Sequence, residues 1–495
     1  MTLAVLSSRA LAGLAATEVR VEVHLASGLP AFHIVGLPDA EVRESRERVR
    51  AAIGASGYEF PSGRLTVNLA PADLPKESAR FDLPIALGVL LASGQVRARR
   101  RLESLVSAGE LSLTGALVPV KAALAIALGT AGMPARTLLL PAESAATAAR
   151  VPGLQVVGVA TLAEAGAWLA GQDDLAPLAP AAAQPAPAYP CLSDVRGQPL
   201  ARRALEVAAA GGHALLFCGP PGAGKTMLAE RLPGILPPLT EAEFLEAGAI
   251  GALADPPLPL GQRPFRAPHH SASMAALVGG GSRPRPGEAS LAHLGVLFLD
   301  ELPEFGRQAL EALREPLETG VLAITRARHR VEYPARFQLV AAMNPCPCGW
   351  AGHPRRACRC SAERLARYTA RLSGPLLDRI DLQVTLPPTE ADALDLPPGE
   401  TSAAVRARVV PARARQLHRQ ACPNAQLKGA ALDRACVLSP AARTLWRDAV
   451  AQWDWSARAA HRVLRVARTV ADLAGAERID LAHVAEAVQY RAATG

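Results

Sequence analysis

Residues Gly219-Pro-Pro-Gly-Ala-Gly-Lys-Thr226 match the pattern G-x-x-x-x-G-K-[ST] in full, and no other feature of the chain restricts its fold so tightly. The pattern has meaning only where a strand enters a glycine-rich turn and a helix leaves it. The flanks comply: the apolar run 214–218 precedes the turn, and 227–232 continues it as a helix. Glycines let backbone N–H groups point inward around phosphate oxygens, and the helix N-terminus adds partial positive charge. Gly219, Pro220, Pro221, Gly222, Ala223, Gly224, Lys225 and Thr226 are therefore expected to cradle a nucleotide. Lys225 reaches the β- and γ-phosphates, and the Thr226 hydroxyl binds Mg²⁺. ATP and Mg²⁺ are the expected cofactors.

A second piece supports the first. Val296-Leu-Phe-Leu-Asp-Glu301 is a buried strand ending in two carboxylates, about 75 residues beyond the phosphate loop. Asp300 is expected to hold Mg²⁺ and Glu301 to polarise the attacking water. The apolar runs 214–218, 296–299 and 337–343 are short and do not alternate. That pattern fits strands covered on both faces, as in a parallel α/β sheet.

The rest of the 495 residues divides by composition. Residues 1–175 mix alternating runs (17–23, 64–69) with Ala/Leu-rich helical ones (83–92, 121–131) and read as an α+β domain. Residues 176–190, nearly all Ala, Pro and Gln, form an extended linker. Residues 191–388 carry the chemistry, and 389–495 show helical periodicity, clearest at 457–474 and 481–492. Prolines break the longest apolar stretch, so no membrane span is expected. Eight cysteines with a single local cluster suggest metal in a reducing cytoplasm, not a disulfide framework. The net charge of +8 admits an anionic partner without identifying one.

Four further stretches extend the pattern: Arg263-Pro-Phe-Arg-Ala-Pro-His-His270, Leu299-Asp-Glu-Leu-Pro-Glu-Phe305, Met343-Asn-Pro-Cys-Pro-Cys-Gly349 and Leu376-Leu-Asp-Arg-Ile-Asp-Leu382. With them the whole chain resembles the Mg-chelatase-like AAA+ ATPases of the ComM/YifB type. The resemblance implies a Lon-protease-like (ribosomal S5 domain 2-like) N-terminal domain. It also implies a P-loop AAA+ core with a helix-2 insert and a hairpin before sensor 1, and a C-terminal helical lid. Family members are hexameric DNA helicases driving branch migration in natural transformation, whereas magnesium chelatase uses a related motor on a porphyrin. The resemblance makes Asn344 the sensor that orients the lytic water. It makes Arg379 a finger projecting toward a neighbouring subunit's γ-phosphate, and Arg458 the second sensor on the lid. A Lon-type site needs a serine and a lysine. Here the nucleophile position holds Arg80, and the pair Ser78 and Lys121 is the residual alternative to a degenerate protease fold.

The partner class rests on arginines. The stretch 321–337 reads as a hairpin, and Arg326, Arg328 and Arg330 alternate so that an extended strand presents them on one face at phosphate-like spacing. A solvated edge is the competing reading. Arg263 and Arg266 open a second basic stretch, which includes Arg283 and the pair His269 and His270. Few aromatics accompany these arginines, which favours backbone tracking over sequence readout. Single-stranded or branched DNA is the expected partner; a chelatase-type motor acting on a protein, or a protease or regulator, are the alternatives. Last, Cys346, Cys348, Cys358 and Cys360 form C-x-C…C-x-C, a set that can close a structural Zn²⁺ site.

Overall fold

The computed structural model describes residues 3–74, 76, 78–133, 136–179, 188–281, 284–326, 329–388 and 395–492. The linker centre 180–187, Arg283 and Arg328 lie outside the described residues. The chain forms two compact units, Met1–Pro185 with Phe244–Leu260, and Ala186–Glu243 with Gly261–Gly495.

The first unit is built on a mixed sheet of seven strands. Their spatial order is Ala31–Val35, Arg64–Ala70, Ala15–Ala26, Leu3–Ala12, Leu105–Ser107, Thr137–Pro141 and Gln155–Val159. The helix Asp82–Ala92 is buried on every side, as a run apolar all round must be. Gly88 lets it lie against the sheet: a Cβ there would stand 2.4 Å from Val23 Cγ2. Asp82, the one charge in this helix, is satisfied by Ser45, by Arg48 Nε at 2.7 Å and by the Leu111 amide at 3.2 Å. The helical segment after Thr240 contributes here too. Leu245 and Ala249 join Leu124, Ile126 and Ala145 in one apolar cluster, so Phe244–Leu260 leaves the chemistry-bearing block to complete this core. At the suspected nucleophile segment, the Ser78 hydroxyl accepts from Arg80 Nε at 3.0 Å, while Lys121 is exposed.

The second unit carries five parallel strands ordered Phe265–Arg266, Val296–Leu299, Gln338–Met343, Leu215–Cys218 and Leu382–Thr385. The architecture is thus mixed α/β around a parallel sheet. Its apolar core continues from these strands into the C-terminal helices. Among them, Ala457–Leu473 buries Ala459, Val463, Val466, Ala467 and Val470 along one face, the spacing a 3.6-residue period requires. The Ser456 hydroxyl caps its N-terminus, accepting from Ala459 N at 3.2 Å. A separate antiparallel hairpin pairs Val321–Arg326 with His329–Pro334. Among the described residues, no helix is long and apolar enough to cross a membrane.

Candidate active site

In a parallel sheet all strands end on the same edge, and ligands bind outside their carboxyl ends. Strand Leu215–Cys218 delivers the phosphate loop there, Val296–Leu299 delivers Asp300 and Glu301, and Gln338–Met343, lying between them, delivers Asn344. Gly222 and Gly224 have φ of +80° and +81°, left-handed backbone that glycine adopts without a Cβ penalty. The helix Lys225–Ile235 starts directly after them. Lys225 Nζ donates to Gly219 O at 2.7 Å, Pro220 O at 3.0 Å and Asn344 Oδ1 at 2.9 Å. Burial lowers its pKa, with Asp300 acting in the opposite sense. Gln198 Nε2 steadies the loop from outside, donating to Ala223 O at 2.9 Å.

Thr226 Oγ1 donates to Asp300 Oδ2 at 3.0 Å. A hydroxyl and a carboxylate side by side are the hard oxygen donors that Mg²⁺ prefers, so this pair fits the ion. Glu301 has φ of +52°, uncommon for a residue with a Cβ. Its Oε2 lies 2.9 Å from His270 Nδ1.

Arg379 does not project as expected. Its side chain is 8% exposed, donates to Pro375 O at 2.6 Å and is paired with Glu318. Burial lowers its pKa, and Arg314, Arg458 and Arg462 push the same way against Glu318. Its position is informative. Leu382 pairs with Leu215, and the Asp381 amide donates to Ala214 O at 3.1 Å. Arg379 therefore stands before the sheet's amino edge, while the phosphate loop leaves the carboxyl edge. Four residues of strand, about 13 Å at 3.3 Å each, separate the two edges. The exposed Arg458 lies close enough to act on Arg379 electrostatically. Arg462 ties the same helix to that edge through Asp381 at 2.7 Å and Arg379 O at 2.9 Å.

The four cysteines converge. Cys346 Sγ is 3.3 Å from Cys348 Sγ and 3.7 Å from Cys358 Sγ, and Cys348 to Cys358 is 3.6 Å. All four sulfurs, Cys360 included, lie within 4.8 Å of one another. Zn–S bonds of about 2.3 Å in a tetrahedron set the sulfurs about 3.8 Å apart, so the cluster fits a structural zinc. Backbone amides of Arg359 and Trp350 hold the Cys348 thiol down at about 6. Gly349, within this loop, packs on Pro221 of the phosphate loop.

The expected basic contacts fare unevenly. Arg263 is spent internally on the carbonyls of Leu294 and Pro237. Arg266 is locked to Glu288 through two bonds of 2.6 and 2.7 Å. These guanidinium groups fasten the insert to the sheet rather than facing a polyanion. In the hairpin, Arg326 pairs with His329 and Arg330 with Thr325. Arg330 also contacts Glu332 at 2.9 Å. His269 bonds Ser271, and His270 Nδ1 lies 2.9 Å from Glu301 Oε2; the described cysteine, histidine and acidic clusters that could hold a metal do not include them.

Sequence reasoning missed Glu318, Gln198 and the His270–Glu301 contact. The first two had no local signal. The third follows from strand register, which a single sequence does not give.

Comparison with known proteins agrees along the chain. Residues 191–394 match the family model "Magnesium chelatase, subunit ChlI", 21–144 match "Subunit ChlI of Mg-chelatase", and 399–491 match "Magnesium chelatase, subunit ChlI C-terminal". YifB of Salmonella typhimurium is 48% identical over 99% of this chain and 97% of its own length. The competence protein ComM of Haemophilus influenzae is 46% identical over 99% and 98%. YifB of Escherichia coli is 46% identical over 99% and 97%.

Proposed function

The chain belongs to the ComM/YifB family of magnesium-chelatase-like AAA+ proteins, which implies ATP hydrolysis with Mg²⁺, and we propose that it is a ring-forming ATP-driven DNA motor that promotes branch migration. The observation that carries the ATPase part is the meeting of Lys225, Thr226, Asp300, Glu301 and Asn344 at one sheet edge. Lys225 exchanges its carbonyl partners for β- and γ-phosphate oxygens and remains tied to Asn344 Oδ1. Thr226 and Asp300 would hold Mg²⁺, which would supply neutralisation of phosphate charge. Asn344 orients the water, and Glu301 accepts its proton.

Placement of Arg379 and Arg458 at the opposite edge supports a ring. A head-to-tail interface joins unlike surfaces and closes into a ring when the rotation allows. One subunit's arginine edge then meets the next subunit's phosphate loop, with Arg379 leaving Glu318 for the transferring phosphate. The DNA part rests on the named competence relative and on the hairpin 321–334, whose Arg326, Arg328 and Arg330 we assign to backbone contact. We assign the cysteine cluster a structural zinc. The Lon-like domain serves assembly or DNA contact rather than proteolysis.

ATPase rates with and without a forked oligonucleotide test this. Stimulation by DNA of any sequence is expected, and changing the three hairpin arginines to Ala should flatten the log K against log[salt] slope by about 0.7–0.9 per lost phosphate contact. An ATPase indifferent to DNA, with no DNA binding, moves the protein-remodelling reading to the front. Lys225→Ala should lose nucleotide binding, whereas Glu301→Gln should bind ATP without turnover.

A further inference from the structure

Between the cysteine loop and the phosphate loop lies an open cleft of about 350 Å³, within the about 300–1,000 Å³ of small-ligand sites. Pro221 and Gly222 border it from the phosphate loop, and Trp350, His353, Arg355 and Arg356 from the cysteine loop; no acidic residue lines it. The loop's own chemistry sets this arrangement. Gly349 and Gly352, with φ of +81° and +74°, turn the chain on either side of Trp350, and the His353 amide donates to Trp350 O at 3.1 Å. That turn puts the His353 ring edge-on to Trp350, with centroids 5.2 Å apart at 83°. His353 Nδ1 accepts the amides of Arg355 and Arg356, each at 3.1 Å, which leaves Nε2 as the ring's donor. The Arg356 guanidinium lies over the Trp350 ring, 4.3 Å from its centroid, a cation–π contact.

Charge in this region is one-sided. Between Trp350 and Leu372 the chain has six arginines and one acid, Glu363. Glu363 is taken by Arg367 at 2.5 Å, and Arg371 is held by Glu304. Arg355, Arg356, Arg359 and Arg364 are exposed, with no ion pair among the described residues. A solvated loop accounts for such arginines but not for the tryptophan among them. Trp350 is half-buried and belongs to none of the described apolar cores. A ring held outside any core, beside unpaired cations, is the combination that grips a single strand by its phosphates and one of its bases.

We propose that this cleft is a contact for single-stranded polynucleotide, additional to the hairpin: Arg355, Arg356 and His353 Nε2 bind backbone phosphates, and one base stacks on the flat layer made by Trp350 and the Arg356 guanidinium. A duplex keeps its bases stacked inside, so a single or displaced strand supplies that base. Cys346 and Cys348 precede the segment and Cys358 and Cys360 follow it, so the converging sulfurs fix both of its ends. DNA as the ligand rests on the motor reading above; the layout of cations and ring does not.

The test titrates the full chain with fluorescein-labelled oligothymidylate and with an abasic strand of equal length, read by anisotropy across a salt series. An Arg355→Ala, Arg356→Ala double variant should flatten the log K against log[salt] slope by about 1.4, at about 0.7 per single-strand phosphate contact. Trp350→Leu should keep the wild-type slope but bind oligothymidylate about 5-fold or more weakly, the fold-change for about 1 kcal/mol of stacking on one base. It should bind the abasic strand as wild type does, and Trp350→Phe, which keeps a ring, should recover most of the loss. Thermal midpoints report whether each variant is folded, and the Trp350→Phe comparison decides the stacking even where Trp350→Leu is unstable. An unchanged slope in the double variant overturns the site, as does a loss in Trp350→Leu that is as large on the abasic strand. Weaker binding of a fluorescent ATP analogue by the double variant, with oligothymidylate bound as before, gives the cleft to the nucleotide and overturns it too. Variants that match a wild type still binding the strand defeat this site alone, whereas wild-type protein that binds no strand defeats the DNA-motor reading with it.

Discussion

Replacing Gly349 by Ala should damage the nucleotide site from inside the cysteine loop. A Cβ at Gly349 would stand 2.6 Å from Pro221 Cδ and 2.8 Å from Pro221 Cγ. Carbon atoms rest at about 3.5–4.0 Å, so one side must retreat by about 1 Å. Neither side is a flexible chain end: Pro221 is a ring fused to the phosphate loop, and Gly349 is gripped between Cys348 and the Cys346 carbonyl, to which its amide donates at 2.9 Å. A displacement of about 1 Å in a positioning group costs about 10²-fold in rate, equivalent to about 2.7 kcal/mol. Ala also pays a backbone term, since φ is +81° and the left-handed region costs a Cβ-bearing residue about 1–2 kcal/mol. Gly352→Ala supplies the control, because Gly352 has φ of +74° in the same loop with nothing within 4 Å. The assay is kcat/KM for ATP beside zinc content and thermal midpoint for both variants. Both should lose some thermal stability and keep their metal; only Gly349→Ala should lose activity. Equal kcat/KM in the two variants would refute the argument that this loop shapes the phosphate cradle.

Arg379→Ala should lower hydrolysis by about 10³-fold, as loss of an arginine finger does elsewhere, and mixing it with Lys225→Ala protein should restore part of the rate; no rescue at any ratio counts against a trans role. Metal analysis should find about one zinc per chain, lost in a Cys346→Ser, Cys358→Ser double variant that also assembles poorly, and metal-free wild-type protein under reducing conditions removes the site. Asp381→Asn should lower the unfolding midpoint near neutral pH, because Asp381 is buried against His213 at 3.1 Å and Arg462 at 2.7 Å and breaking such a pair costs about 3–5 kcal/mol. Burial opposes ionisation of Asp381, but its hydrogen bond to His213 and the charges of His213 and Arg462 outweigh it and hold the carboxyl below its usual range. A depressed folded pKa gives stability that is complete above the unfolded value of about 3.9 and fades below it, so the gap between wild type and variant should be level down to about pH 4 and narrow beneath. A gap that instead narrowed between pH 8 and 5 would assign the effect to another group.

What the sequence determined by itself is what local chain chemistry enforces. Strand, glycine turn and helix are contiguous at 215–235, so Gly222, Gly224, Lys225 and Thr226 could be placed from spacing alone. Asp300 and Glu301 followed because unalternating apolar runs mark strands of a parallel sheet, and such strands share one edge, whereas Asn344 came from the family resemblance. The cysteines were legible for the same reason: both C-x-C pairs lie within 15 residues, from Cys346 to Cys360, a loop too short to scatter them. Charged side chains were another matter. Arg379 was read as projecting, yet Glu318, 61 residues away, holds it. Arg266 was given to DNA, yet Glu288 occupies it from 22 residues away, and Arg263 is held by the carbonyls of Leu294 and Pro237. Arginine's long stem and five donors let it satisfy itself on any partner the fold brings near, so its destination depends on contacts distant in sequence. The same holds for the segment Phe244–Leu260, which joins a different core from the residues on either side of it. His270 shows the limit most plainly: a one-residue slip of the two-residue pairing at Phe265 and Arg266 would have sent its ring to the other face of the sheet, and only the folded register sets it against Glu301.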